Sequence, residues 1–202
     1  MTILWLHEDF VENFETYISQ LNGIINDLLS ADDGTLASNP EARHQLMKLF
    51  FILKGIVNGL SSSRHFALFF DWFYPTNFTI IEKALNAFIN DDQMVLVIFG
   101  FLGELVNNRC SRLRFDTWNI NGLIVFKEAA KIVIQYMQIS DNLQSKVVKK
   151  DIYREKFKFL SGIMNIYTNC ITGHFINFAI CEFYNDDTFS RLSQHVLSAL
   201  VA

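Results

Sequence analysis

Apolar residues recur along this chain at three- and four-residue intervals, and each run stops at a cluster of turn-forming residues. Phe10, Phe14, Tyr17, Leu21, Ile25 and Leu28 share one face of a 3.6-residue period, which predicts an amphipathic helix over about 9–29. The stretch SADDGTLASNP reads as a break. Asn39 is placed as an N-cap, and Pro40 at the first helical position loses nothing by lacking an N–H. PEARHQLMKLFFILKGIVNGL is then the second helix. RHFALFFDWFYP predicts a short aromatic helix ended by Pro75, because the residue before a proline avoids helical angles. FTIIEKALNAFIN follows, and Asp91 or Asp92 caps QMVLVIFGFLGELVNN. That helix is apolar all round, so neighbours must cover most of its sides.

Further along, LIVFKEAAKIVIQYM is helical, the polar ISDNLQSKVVKK reads as a loop, and DIYREKFKFLSGIMNIYTNCI, HFINFAICEFY and DTFSRLSQHVLSALV complete the chain as helices. No stretch alternates as a strand does, so the expected class is all-α with eight or nine helices. Phe88-Ile-Asn-Asp-Asp92 is echoed by Phe183-Tyr-Asn-Asp-Asp187. Half that offset is a period of roughly 47 residues, which suits HEAT or armadillo repeats. Short turns between apolar helices favour an α-solenoid of HEAT-like antiparallel pairs, with about four repeats over 1–202, since each pair has two faces to bury and must stack.

Composition sharpens this picture. The chain is 50% hydrophobic and 19% charged, so much of it must be buried. The longest apolar run, MVLVIFGFLG at 94–103, falls far short of the roughly 20 residues a bilayer requires. No basic region precedes an apolar stretch at the N-terminus, so no secretory signal is expected. Three cysteines, Cys110, Cys170 and Cys181, suit buried thiols in a reducing compartment. The net charge of −4 conceals an asymmetry: residues 109–158 hold 11 basic and 5 acidic groups, against 5 and 13 in residues 1–108. A patch of that sign can steer an acidic partner or nucleic acid, or simply be a solvated face.

Candidate chemistry is sparse. There is no phosphate-binding glycine loop, and Gly100-Phe-Leu-Gly103 sits in an apolar helix where packing explains it better than nucleic-acid contact. Cys170, His174 and Cys181 lack the paired spacing of a zinc site. Asp91-Asp92 and Asp186-Asp187 stand where helices begin and read as caps. No nucleophile stands beside a base, so no enzymatic activity, metal or cofactor is expected. The cluster Phe66, Phe69, Phe70, Trp72, Phe73 and Tyr74 holds only one charge, Asp71, and reads as core. The loop LVNNRCSRLRFDTWNINGL differs: Arg109, Arg112, Arg114, Phe115 and Trp118 combine residue types that anchor interfaces, and form the candidate partner-binding site, with structural anchoring of the loop onto its helices the favoured alternative for the arginines. Arg109 follows a helix C-terminus, where a cation gains roughly 0.3–1 kcal/mol. It is expected to be the most structural of the three arginines. Arg112 and Arg114 lie beyond that reach and are expected to pair with Asp116 or with acids of a neighbouring repeat.

LFFDWFYP (68–75), GELVNNRCSRLRFD (103–116), NGLIVFKEAAKI (121–132) and GHFINFAICEFYNDD (173–187) together resemble the central part of an exportin-7-type karyopherin-β, a nuclear transport receptor built of HEAT repeats. The resemblance runs in order along nearly the whole chain. It departs at Ile120, where the family carries a proline before Asn-Gly. It implies Ran-dependent carriage of protein cargo through nuclear pores by a longer receptor. Ran-GTP, cargo proteins and nucleoporins would be its partners, it would use no membrane, and it would be found in nucleus, cytoplasm and nuclear pore. The N-terminal Ran-binding repeats of such receptors have no counterpart in this sequence. Two alternatives stay open: a nucleic-acid-binding helical repeat, supported by the basic central segment, and a transport-dead structural fragment.

Overall fold

The computed structural model describes residues 10–116, 119–144, 152–173 and 187–201. Nine α-helices fill most of these: α1 Phe10–Ser30, α2 Asp33–Ser38, α3 Pro40–Gly59, α4 Ser63–Trp72, α5 Thr79–Ala87, α6 Asp92–Leu105, α7 Asn121–Gln144, α8 Ile152–Thr172 and α9 Thr188–Val201. Among the described residues there is no strand, only an isolated bridge between Asp116 and Asn119. The class is all-α, as the periodicity predicts, and no described helix is long and apolar enough to cross a membrane.

The helices form two layers, in the manner of a helical-repeat solenoid. In one, α3 packs on α6 and α6 on α8. In the other, α1 meets α4 and α5, α5 meets α7, and α7 meets α9. Contacts of α1 with α3, α5 with α6 and α8 with α9 join the layers. The two layers bury one continuous core. Phe66, Phe69, Phe70 and Phe73 all lie in it. Phe69 stacks on Phe73 at 5.4 Å between centroids, and Phe73 meets Phe101 of α6 edge-on at 5.6 Å.

The caps expected at Asn39 and Asp91 are present. The Asn39 side chain accepts from the backbone N–H groups of Glu41 and Ala42. Asp91 accepts from Gln93 and Met94. α4 ends at Trp72, ahead of a π-helical turn, Phe73–Asn77, that contains a cis Tyr74–Pro75 bond. The apolar helix α6 is covered by α3, α5 and α8. Gly103 lets α8 approach: a Cβ there would lie 2.8 Å from Asn165 Nδ2.

Two expectations need correcting. The supposed break after α1 contains α2, because Asp32 caps Gly34 N–H and Leu36 has a buried site to fill. The supposed loop after Met137 is helical through Gln144, where α7 ends. The second half of the sequence echo, 183–186, and the predicted helix HFINFAICEFY lie outside the described residues. Repetition is visible instead in the bonds between successive helix pairs: Arg43–Asp91, Asn22–Trp72, Glu82–Lys131, Asn86–Gln135 and Ser63–Arg114 join residues 48, 50, 49, 49 and 51 positions apart.

Candidate functional site

The loop between α6 and α7 carries the three arginines. Every helix ends with backbone carbonyls that no further turn satisfies. In this molecule the carbonyl ends of α3, α6 and α8 converge on that loop, and its side chains supply the missing donors. Arg112 is the centre. One terminal nitrogen donates to Val57 O and, at 2.9 Å, to Leu60 O, both at the end of α3. The other donates to Glu104 O at 2.6 Å, at the end of α6, and lies 3.5 Å from Glu104 Oε1. Its guanidinium carbon sits 5.3 Å above the Phe66 ring, a cation–π arrangement. Arg112 Nε is buried without a partner among the described residues.

Arg112 is wholly inaccessible to solvent, with a relative exposure of 0%. The expectation that it faces a partner is therefore corrected: no partner reaches it. It does not pair with Asp116 either, but with Glu104 of the adjoining helix. Burial pushes its pKa down to about 10, against the opposing pull of Glu104, so it remains charged near neutrality. A planar group with five donors suits three carbonyls in a way an ammonium does not.

Arg109, expected to be the most structural, is the looser of the two. Its side chain is 41% exposed, with one nitrogen 2.8 Å from Glu104 Oε1 and another 3.3 Å from Asn58 O. Arg114 is exposed and reaches Ser63 Oγ at 3.1 Å, at the start of α4. Phe115 is half-buried and packs on the core. Its ring lies where a Cβ on Gly122 would stand, 2.5 Å from Cε1, and Arg114 O would be 2.8 Å away. Gly122 is therefore required for the loop to close onto α7. Trp118 lies outside the described residues. The structure thus brings Arg109 and Arg112 together on Glu104, with Arg112 buried and both Arg109 and Arg114 exposed.

Sequence reasoning passed over Asn108, Glu104 and Asn121. Asn108 donates to Gly173 O at 3.0 Å, at the end of α8, and accepts from Leu113 N at 2.8 Å. Asn121 accepts from Arg114 N at 2.8 Å. These bonds hold a strained turn, with Cys110 and Ser111 at φ of 54° and 53°, in the left-handed region that non-glycine residues rarely occupy. The only available signal was Asn107-Asn108 directly after an apolar helix. Of the cysteines, Cys170 is buried, which pushes its thiol up to about 12, whereas Cys110 is exposed; Cys181 lies outside the described residues. Cys170 therefore meets the expectation of a buried thiol and Cys110 does not. Among the described residues no group of three or more His, Cys, Asp or Glu is placed to hold a metal ion.

Comparison with known proteins agrees with the sequence resemblance. The chain is 28% identical over 183 residues to Exportin-7 of Dictyostelium discoideum, a match covering 91% of this chain and 18% of that protein. It is 26% identical over 191 residues to Exportin-7-B of Xenopus laevis, covering 95% and 18%. It is equally identical over the same length to Ran-binding protein 17 of Homo sapiens, covering 95% and 17%. The chain spans less than a fifth of these relatives. No family model and no solved structure matches.

Proposed function

We propose, from this exportin-7-type likeness, that the chain is a segment of a nuclear transport receptor that carries protein cargo through nuclear pores in a Ran-dependent way. One observation carries the reading: an in-order match over nine-tenths of the chain to proteins named for export and Ran binding. The two-layer helical array supports it, since stacked pairs make the extended surfaces on which repeat proteins bind other proteins. In this reading the arginine loop is first a structural joint. Arg109 and Arg112 lock successive helix pairs, while Arg114, with Phe115 beside it and Trp118 nearby in sequence, is the part that faces Ran, cargo or nucleoporins.

The nucleic-acid alternative has less support. Of the described basic residues in its central segment, Arg109, Arg112, Arg114 and Lys131 are already held by protein groups. A chimera tests the transport reading: this chain replaces the matching segment of the Dictyostelium relative, and nuclear export of a fluorescent cargo is followed in cells. Export at the parent's rate is the expected result. A chimera that folds and binds GTP-loaded Ran but exports nothing would refute it in favour of a transport-dead segment.

A further inference from the structure

Away from the arginine loop, α7 and α9 enclose a groove of about 430 Å³. Along α7 it is walled by Lys127, Glu128, Lys131, Ile134 and Gln138, and Arg191 faces them from α9. Lys127 and Lys131 are one helical turn apart, and Ile134 and Gln138 continue the same stripe. From Lys127 to Gln138 the helix rises about 16 Å. An extended chain covers that length in about five residues. The groove is therefore longer than a single small anion and matched to a short extended segment.

Its charge is uneven. Three cations stand against one carboxylate in the walls. Three of the charged groups are already engaged by the protein: Lys127 has a partner of its own, and two are tied to the neighbouring helix pair. Lys131 Nζ lies 2.6 Å from Glu82 Oε1, and Glu128 Oε1 accepts from the Tyr74 hydroxyl at 3.3 Å. Arg191 has no hydrogen bond or ion pair to its guanidinium among the described residues, and it is exposed. The other end, with Ile134 buried in the floor and Gln138 exposed on the rim, offers an apolar contact and an amide that can both donate to and accept from a peptide backbone.

We propose that this groove binds an extended acidic segment of a partner protein, with carboxylates toward Lys127, Lys131 and Arg191 and an apolar residue over Ile134. Charge complementarity sets the occupant. Carboxylates satisfy the cationic end, while peptide N–H groups satisfy Glu128 and Gln138. A polyphosphate backbone offers no N–H donor to Glu128. The groove lies on the layer opposite α3, α6 and α8, so the proposal holds whether or not the chain is part of a transport receptor.

The test uses the whole 202-residue chain and a fluorescein-labelled six-residue peptide of alternating glutamate and leucine, read by fluorescence anisotropy. Saturable binding is expected, weakened roughly tenfold by Arg191→Glu and severalfold by Gln138→Glu, and reduced by added salt. Arg64→Glu, an exposed charge reversal outside the groove, is expected to leave it unchanged. Melting temperatures of all three variants should match the parent, which separates lost binding from lost fold. Three results would overturn the proposal: no binding of the peptide, an affinity indifferent to Arg191→Glu, or tighter binding of a six-nucleotide uridine RNA that Arg191→Glu abolishes, which would assign the groove to nucleic acid.

Discussion

Replacing Arg112 with alanine removes a buried guanidinium from the carbonyls of Val57, Leu60 and Glu104 at once. A buried acceptor left without a donor costs about 1–3 kcal/mol. Three of them set an upper bound near 9, but the vacated space is polar and large enough for one or two waters to take over part of the bonding. Glu104 also keeps Arg109 at 2.8 Å and is not stranded. The expected loss is therefore about 3–5 kcal/mol, in the range seen when one member of a buried charged pair is removed. Set against a typical total of about 5–15 kcal/mol, this would be a large fraction of the fold's stability. Arg109→Ala, at a half-exposed site on the same Glu104, should cost about 0–1 kcal/mol. Arg112→Lys should recover only part of the loss, because a single ammonium cannot span carbonyls at the ends of two helices. Urea unfolding followed by circular dichroism measures all three, provided the slope stays constant. An Arg112→Ala loss below about 1 kcal/mol, or an Arg109→Ala loss equal to it, would refute the assignment of Arg112 as the joint between α3 and α6.

Two glycines should respond unequally to alanine. Gly122→Ala pushes a methyl against both the Phe115 ring and the Arg114 carbonyl, and should destabilise by about 1–3 kcal/mol; adding Phe115→Ala should not rescue it, because the backbone carbonyl stays. Gly103→Ala meets only the far end of the Asn165 side chain and should cost under about 1 kcal/mol by the same unfolding assay. The Asp91 carboxyl is held below its usual value of 3.8, first by its hydrogen bond to Arg43. A depressed folded pKa adds stability that is present above the unfolded value and is lost as pH falls through the folded one. Asp91→Asn should therefore flatten the acid limb of a stability–pH profile below about pH 4, and an unchanged limb would count against the Arg43–Asp91 bridge. Lys83 donates to Leu29 O and Ala31 O at the end of α1, so Lys83→Met should lower stability by about 1–2 kcal/mol, with a shift in urea midpoint as the readout.

The sequence made legible whatever depends on neighbours along the chain. Asn39 before Pro40, and Asp91 before an apolar helix, act through N–H groups two or three residues away, so composition alone reveals them. The aromatic run 66–74 reads as core because charge is nearly absent from it. Arg112 shows what cannot be read this way. Its acceptors are main-chain carbonyls 52 and 55 positions earlier, and every residue type carries a carbonyl. Nothing in the side chains of Val57 or Leu60 announces a buried cation. Counting Arg112 toward a basic surface patch was the natural error, since net charge takes no account of burial. The short helix α2 escaped notice because one apolar residue, Leu36, gives no period, and the end of α7 because its sequence, QISDNLQ, is mostly polar.

The spacing of these bonds also has a temporal side. During synthesis the carbonyls of Val57 and Leu60 leave the ribosome more than fifty residues before the arginine that satisfies them. At about 5–20 residues per second the wait is roughly 3–10 seconds. Throughout it, the end of α3 has water for a partner and α5 has not yet met α7. Lys83 completes the end of α1 after a similar delay, and Asn108 must in turn await Gly173. Each turn of the array is thus born incomplete and is closed by the one that follows. A nascent chain halted near residue 105 would stand one side chain short of a finished helix pair.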